Sequence, residues 1–314
     1  MNGNDFKIEI FKPFGEAFEL MKRILFQPFD FKKWLLIGFA AWLANLGSGG
    51  GGNFSYPDNR QEGAHGFNEA IGHIPQAVLI TGISILVCLI LLVIVLFAWL
   101  RARGRFVFVD CIVRNRTAIA EPWKEFRAEG NSFFLFSLLI ALVVVLVIVI
   151  AGLVLIVPFM PAHGQAQPDI AFWVGISLTG FISIFLICVW GMASQLMVPI
   201  MYRQRCRAQI AFTKAVHLVS SHPGPILLYV LFFLLLAVAM VMISCVVTCA
   251  TCCIAALPYV GTVILLPIPV TLGAFVLLFL RQFGPDYDVW AGFMPAEYSP
   301  VLLPPPGPME TEAS

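Results

Sequence analysis

Apolar residues run through this chain in long blocks, and charge separates the blocks. No Asp, Glu, Lys or Arg lies between Lys214 and Arg281, and similar gaps run from Glu69 to Arg101, from Glu129 to Asp169 and from Asp169 to Arg203. A helix rises about 1.5 Å per residue and the hydrocarbon of a bilayer is about 30 Å thick, so roughly 20 apolar residues make one crossing. The pattern predicts spanning helices near 74–100, 133–157, 170–198, 226–256 and 259–280. A sixth block, 34–46, is shorter and runs into the glycine-rich stretch 47–52.

Basic residues decide how the short block is read. Lys7, Lys12, Lys22, Arg23, Lys32 and Lys33 precede it, and Arg101, Arg103 and Arg105 end the following block. The positive-inside rule puts both clusters in the cytoplasm, which requires a crossing between them. With six crossings every Lys and Arg except Arg60 falls on the cytoplasmic side. The expected fold is all-α: a polytopic membrane helical bundle of six transmembrane helices with cytoplasmic interfacial amphipathic helices. Residues 1–33 form a cytoplasmic amphipathic N-terminal segment and 34–280 the membrane domain, with an extracytoplasmic loop at 47–73 and cytoplasmic loops at 101–132 and 199–225. Residues 281–314 form a cytoplasmic, largely disordered tail. Both termini are expected inside, in a cell (inner) membrane, and no cleavable signal peptide is visible.

Composition agrees. A mean hydropathy of +0.90, with 60% hydrophobic and 12% charged residues, is far from the soluble average of about 25% charged and excludes a water-soluble globular enzyme. The net charge of +1 conceals a basic cytoplasmic face. Of the eight cysteines, Cys88, Cys188, Cys245, Cys249, Cys252 and Cys253 fall in spans and Cys111 and Cys206 in cytoplasmic segments, so no disulfide framework is expected.

Each cytoplasmic segment carries a stretch of helical periodicity. Phe14, Ala17, Phe18, Met21 and Leu25 form one stripe; Ile119, Pro122, Trp123 and Phe126 a second; Ala208, Ala211, Phe212, Ala215 and Val219 a third. Phe14, Phe18, Trp123, Phe126 and Phe212 are the expected interfacial anchors. Residues 114–120 (RNRTAIA) align with 205–211 (RCRAQIA); a three-fold repeat and a shared habit of interfacial helices both account for this.

The stretch Val198, Pro199, Ile200, Met201, Tyr202, followed by Ala211, Phe212, Ala215, Leu218, Val219 and Ser220 and then a hydrophobic span, resembles a repeated element of bacterial six-span proteins. These are uncharacterised families similar to the membrane domain of some glycerophosphodiester phosphodiesterases and to YciC-type proteins. The resemblance covers mainly 100–280 and implies a fold and a membrane location. It transfers no catalytic residue, because the chain has no soluble catalytic domain and no metal cluster to match one.

Candidate chemistry is thin. The glycine run lacks the Lys-Ser/Thr pair of a phosphate loop, and Asn53 heads a glycosylation sequon. Glu62, His65, Glu69 and His73 share one helical face, but glycines weaken any helix there, so a solvated polar face is expected rather than a metal site. Cys245, Cys249, Cys252 and Cys253 also share a face and are read as packing residues, since an anionic cluster in lipid would need cations that this span lacks. Pro267 and Pro269 interrupt the last span, as at a transporter's broken helix or a tolerated kink. No metal, cofactor or nucleic acid is expected, and no catalytic constellation is visible.

The expected function is that of a non-enzymatic integral membrane protein that organises anionic phospholipids or other membrane proteins at the cytoplasmic face. A transporter or channel for an uncharged or amphipathic substrate is the alternative. The expected contacts to anionic lipid are Arg101, Arg103, Arg105, Arg114, Arg116, Lys124, Arg127, Arg203, Arg205 and Arg207.

Overall fold

The computed structural model describes residues 9–46, 76–116, 119–155, 170–251 and 258–291. Among these residues there are ten α-helices and no strand: α1 (Phe11–Phe26), α2 (Phe31–Ala44), α3 (Gln76–Arg114), α4 (Ala120–Glu125), α5 (Arg127–Leu155), α6 (Ile170–Gln204), α7 (Ala208–Ser221), α8 (Pro223–Ala250), α9 (Pro258–Ile264) and α10 (Pro267–Arg281). The fold is all-helical over this range. Four helices, α3, α5, α6 and α8, are long and apolar enough to cross a membrane, and they coincide with the blocks near 74–100, 133–157, 170–198 and 226–256.

Where the helices end is a different matter. Helix α3 has 39 residues and is about 58 Å long, so it runs straight through 101–114, which the charge pattern assigns to a loop. Charge marks where a chain leaves hydrocarbon; it does not stop a helix, and 101–114 contains no proline that would, its one glycine being an isolated residue inside the helix. Helix α6 likewise continues past 198 to Gln204, with Pro199 inside it.

The block at 259–280 is not one helix. Prolines at 267 and 269 supply no N–H donor, and the chain between α9 and α10 turns through tighter bonds, Leu266 N to Val263 O and Ile268 N to Leu265 O. Helix α10 then has 15 residues, fewer than a crossing needs on its own. Helix α2 has 14 residues, about 21 Å. It starts three residues before the predicted block because Asp30 caps it, its carboxylate accepting from Lys32 N at 2.9 Å. The predicted loop 47–73, with Asn53, Glu62, His65, Glu69 and His73, lies outside the described residues, as do Cys252, Cys253 and the tail from 292.

Burial divides every long helix into two parts. In the most apolar stretches of α3 and α5 no residue is buried, and in α6 and α8 few are. These stretches form apolar arms. Their other ends, together with α1, α2, α4, α7 and α10, close into a knot containing Phe106, Ile112, Met197, Ile200, Tyr202, Phe275 and Phe279, all essentially inaccessible. Gly104 lets α2 and α3 meet: a Cβ there would sit 2.7 Å from the Leu43 carbonyl carbon. Trp34 Nε1 donates to Val263 O at 2.9 Å, and Tyr259 Oη donates to Leu35 O at 3.1 Å, fixing α9 on α2.

The first amphipathic stripe points into this knot. Ala17, Met21 and Leu25 are buried where α1 packs on α10, and the Phe14 ring stands edge-on to Phe232 and Phe275. The two ends of the described chain are also joined there. Glu9 N donates to Gln282 Oε1 at 2.9 Å and Gln282 Nε2 returns a bond to Glu9 O at 2.8 Å.

Candidate functional site

The charged residues of the knot gather where α3, α4 and α6 end. Asp110, 0% exposed, is the centre. Its Oδ1 accepts from Tyr202 Oη at 2.9 Å and pairs with Arg114 Nε at 3.2 Å; its Oδ2 accepts from Arg116 Nε at 2.9 Å. A buried carboxylate is costly unless it is paired and hydrogen-bonded, and Asp110 has two hydrogen bonds and two arginines beside it.

A second carboxylate, Glu125, extends the network. Arg114 grips it with both terminal nitrogens, at 3.1 and 2.9 Å, and Arg205 binds the same group. Burial pushes the Glu125 carboxyl up, but the hydrogen bonds and charges of Arg114 and Arg205 outweigh that and hold it below its ordinary value. Burial lowers Arg116, and the hydrogen bond and charge of Asp110 more than restore it, leaving it above the usual arginine value. Arg116 also reaches Glu121 at 2.9 Å, and Arg205 lies 3.5 Å from Glu129. Arg205 sits just past the end of α6 with φ of 49°, a left-handed conformation that costs a non-glycine residue about 1–2 kcal/mol. Its guanidinium rests 3.8 Å from the centre of the Phe126 ring, so the ion pairs and the ring contact offset that strain.

The ten expected lipid-contact residues therefore separate into groups. Arg114, Arg116 and Arg205 spend their donors on carboxylates. Arg103 is buried and bonds Asn131 Oδ1 through Nε at 3.2 Å and Nη2 at 3.0 Å, with the rings of Trp99 and Trp123 at 4.4 and 5.2 Å. Arg105 donates to Ser194 Oγ at 2.9 Å and lies 5.6 Å from the Phe133 ring. The Nε of Arg101 is buried without a partner. Lys124, Arg127 and Arg207 are exposed and Arg203 half-buried, and no ion pair to any of these four is present among the described residues.

Of the five expected interfacial anchors, Phe126 is a knot residue. It is 2% exposed, stacked on Tyr202 with centroids 4.7 Å apart and on Phe106 at 6.0 Å. Helix α4 has six residues, too short to lay a stripe along a membrane, so its Pro122 and Phe126 fill protein space instead. Trp123 is half-buried against Trp99, Phe212 half-buried against Phe136, Phe14 half-buried against α10, and Phe18 is 45% exposed. Cys245 and Cys249 are exposed on α8, and no group of His, Cys, Asp and Glu able to hold a metal occurs among the described residues.

Comparison with known proteins gives one assignment. A family model described as a family of unknown function, DUF7544, matches residues 9–285. The chain belongs to that family. No curated protein and no solved structure matches it. The DUF7544 description names neither the glycerophosphodiester phosphodiesterase membrane domain nor the YciC-type proteins, so the likeness of 198–220 to their repeated element remains a likeness. The DUF7544 match takes in every helix from α1 to α10, including both halves of the Asp110 network.

Asp110, Tyr202, Glu125, Asn131 and Ser194 are the site residues that sequence reasoning missed. One signal was present: Asp110 is the single acidic residue between Glu69 and Glu121, in the otherwise apolar run FVFVDCIV.

Proposed function

We propose that this chain is a non-enzymatic, multi-pass integral membrane protein whose knot lies at the cytoplasmic side of the bilayer and whose apolar arms engage lipid and other membrane proteins. The observation that carries the reading is the contrast in burial along α3, α5, α6 and α8: tightly packed at one end and almost unpacked over the stretches that match a bilayer in length. An enzyme would need a reactive group with a matched base in an enclosed site, whereas the buried carboxylate of the knot, Asp110, is held by Tyr202, Arg114 and Arg116.

Orientation follows the basic residues, which cluster at the knot. The Glu9–Gln282 pair supports placing both ends of the chain on that side. The arms α3, α5, α6 and α8 supply four crossings, and the count of six adds α2 and the α9–α10 pair at the bilayer-facing side of the knot; the cell (inner) membrane is the location that fits. Cysteine labelling at Ser55 and Ser314 tests this. Ser55 should react from outside and Ser314 only after permeabilisation; external labelling of both overturns the count.

The break between α9 and α10 favours one second reading, a transporter or channel for an uncharged or amphipathic solute, because a broken helix exposes backbone acceptors. Reconstitution separates the two. A scaffold leaves solute flux in liposomes at background and yields reproducible crosslinks to other membrane proteins; measurable flux abolished by restoring α9–α10 continuity (Pro267→Leu with Pro269→Leu) favours the transporter.

A further inference from the structure

Arg101 and Arg105 stand one turn apart on α3, on the same face, with Cβ atoms separated by about 6 Å in a regular helix. Arg103 lies about 200° around the helix from Arg101 and belongs to the Trp99–Trp123–Asn131 group instead. No carboxylate pairs with Arg101 or Arg105 among the described residues, whereas Arg114, Arg116 and Arg205 each pair with one or more. Arg105 has a neutral hydroxyl, Ser194, and a ring face, Phe133. Arg101 Nε is buried with no partner, and so is Ser137 Oγ on α5.

Helix geometry brings these unmet groups into one layer. Helix α3 runs towards the knot and α5 away from it. One turn from Arg105 towards the arm is therefore Arg101, and one turn from Phe133 towards the arm is Ser137. That layer sits at the edge of the apolar arms, where Phe97 and Leu135 are already exposed and Trp99 and Trp190 supply the aromatic residues typical of the headgroup region. Two guanidinium forks and a hydroxyl, uncompensated by any carboxylate, match an anionic oxygen cluster.

We propose that Arg101 and Arg105, with Ser137, bind the phosphate of an anionic phospholipid headgroup between α3 and α5. This deepens the lipid-organising part of the proposed function and rests on its placement of the knot at a membrane surface. The other cations of the basic face contribute orientation; this pair selects a ligand.

The test uses the full chain purified from membranes into vesicles of phosphatidylcholine with and without phosphatidylglycerol, with retained lipid counted by native mass spectrometry. Arg101→Gln removes no hydrogen bond at Nε within the protein and should weaken phosphatidylglycerol retention by about fivefold; adding Arg105→Gln should bring the loss to about thirtyfold. Arg101→Lys should recover part of it. Lys12→Gln with Lys32→Gln, exposed cations of the N-terminal segment, should leave retention unchanged. Equal loss in that control, or undiminished retention in Arg101→Gln, overturns the site, and displacement by excess inorganic phosphate shows a free-phosphate site and overturns the lipid assignment. Should Ser55 and Ser314 label with the wrong sidedness, the membrane placement fails; correct labelling with unchanged retention fails the site alone.

Discussion

The same four long helices run through the apolar arms and into the knot, yet the two regions obey different rules. In the arms Leu142, Val246 and Phe181 are exposed, and a bilayer rather than a neighbouring helix supplies their apolar surroundings. In the knot the last turns of α3 are surrounded by α2, α5, α6 and α10, and Phe106 and Ile112 have no accessible surface to speak of. Lipid solvates apolar side chains as well as protein does, so burial in the arms gives no hydrophobic gain. The specific structure of this protein is therefore determined at the knot, and the arms take their positions from it.

The sharpest test of that division is Asp110→Ala. It leaves Arg114, Arg116 and Tyr202 around an empty site, and unpairing a buried charge costs about 3–5 kcal/mol. We expect loss of monodisperse protein in mild detergent. Leu142→Ala, on an arm, should behave as the parent does, and a comparable yield from both variants would show that the knot does not hold the fold.

Next in size is a pair of glycines. Gly104→Val would drive a side chain into the backbone of α2 at Leu43 and should cost about 1–3 kcal/mol, read as a lowered thermal midpoint. Gly82→Val, on the arm of the same helix and with nothing within 4 Å of its Cβ position, should leave the midpoint nearly unchanged. Equal effects would place a packed neighbour against the arm.

The smallest expected effect is on pH. Because Glu125 is held below its ordinary value, its contribution is complete above the unfolded carboxylate value of about 4.3 and is lost as pH falls through the depressed value. The thermal midpoint should be flat from neutral pH to that point and fall below it. Glu125→Gln should be less stable at neutral pH and should flatten the fall; an unchanged acid limb in that variant would assign it to other carboxylates.

Much of this was legible in the sequence, and the reasons for the rest are physical. Charge gaps located the arms because lipid excludes charge over a fixed thickness. They could not locate helix ends, so α3 was cut at 100 although it continues to Arg114. Pro267 and Pro269 were visible, but whether a proline kinks a helix or ends it depends on what the chain packs against afterwards, here α1. The ten expected lipid-contact residues could not be sorted into paired and unpaired cations for a similar reason. Residue type does not distinguish Arg114, whose carboxylate partner Glu125 lies across a turn, from Arg101, which has none. Tyr202 meets Asp110 across 92 positions, a distance that periodicity does not span.

The Glu9–Gln282 pair closes a separation of 273 residues, and this sets an order of events during synthesis. At about 5–20 residues per second, the interval between the emergence of α1 and that of α10 is roughly 15–50 seconds. For that time Ala17, Met21 and Leu25 lack the helix they are buried against in the folded protein. Helix α1 therefore cannot take its place in the knot until α10 has been made, which makes the emergence of α10 the step that buries α1.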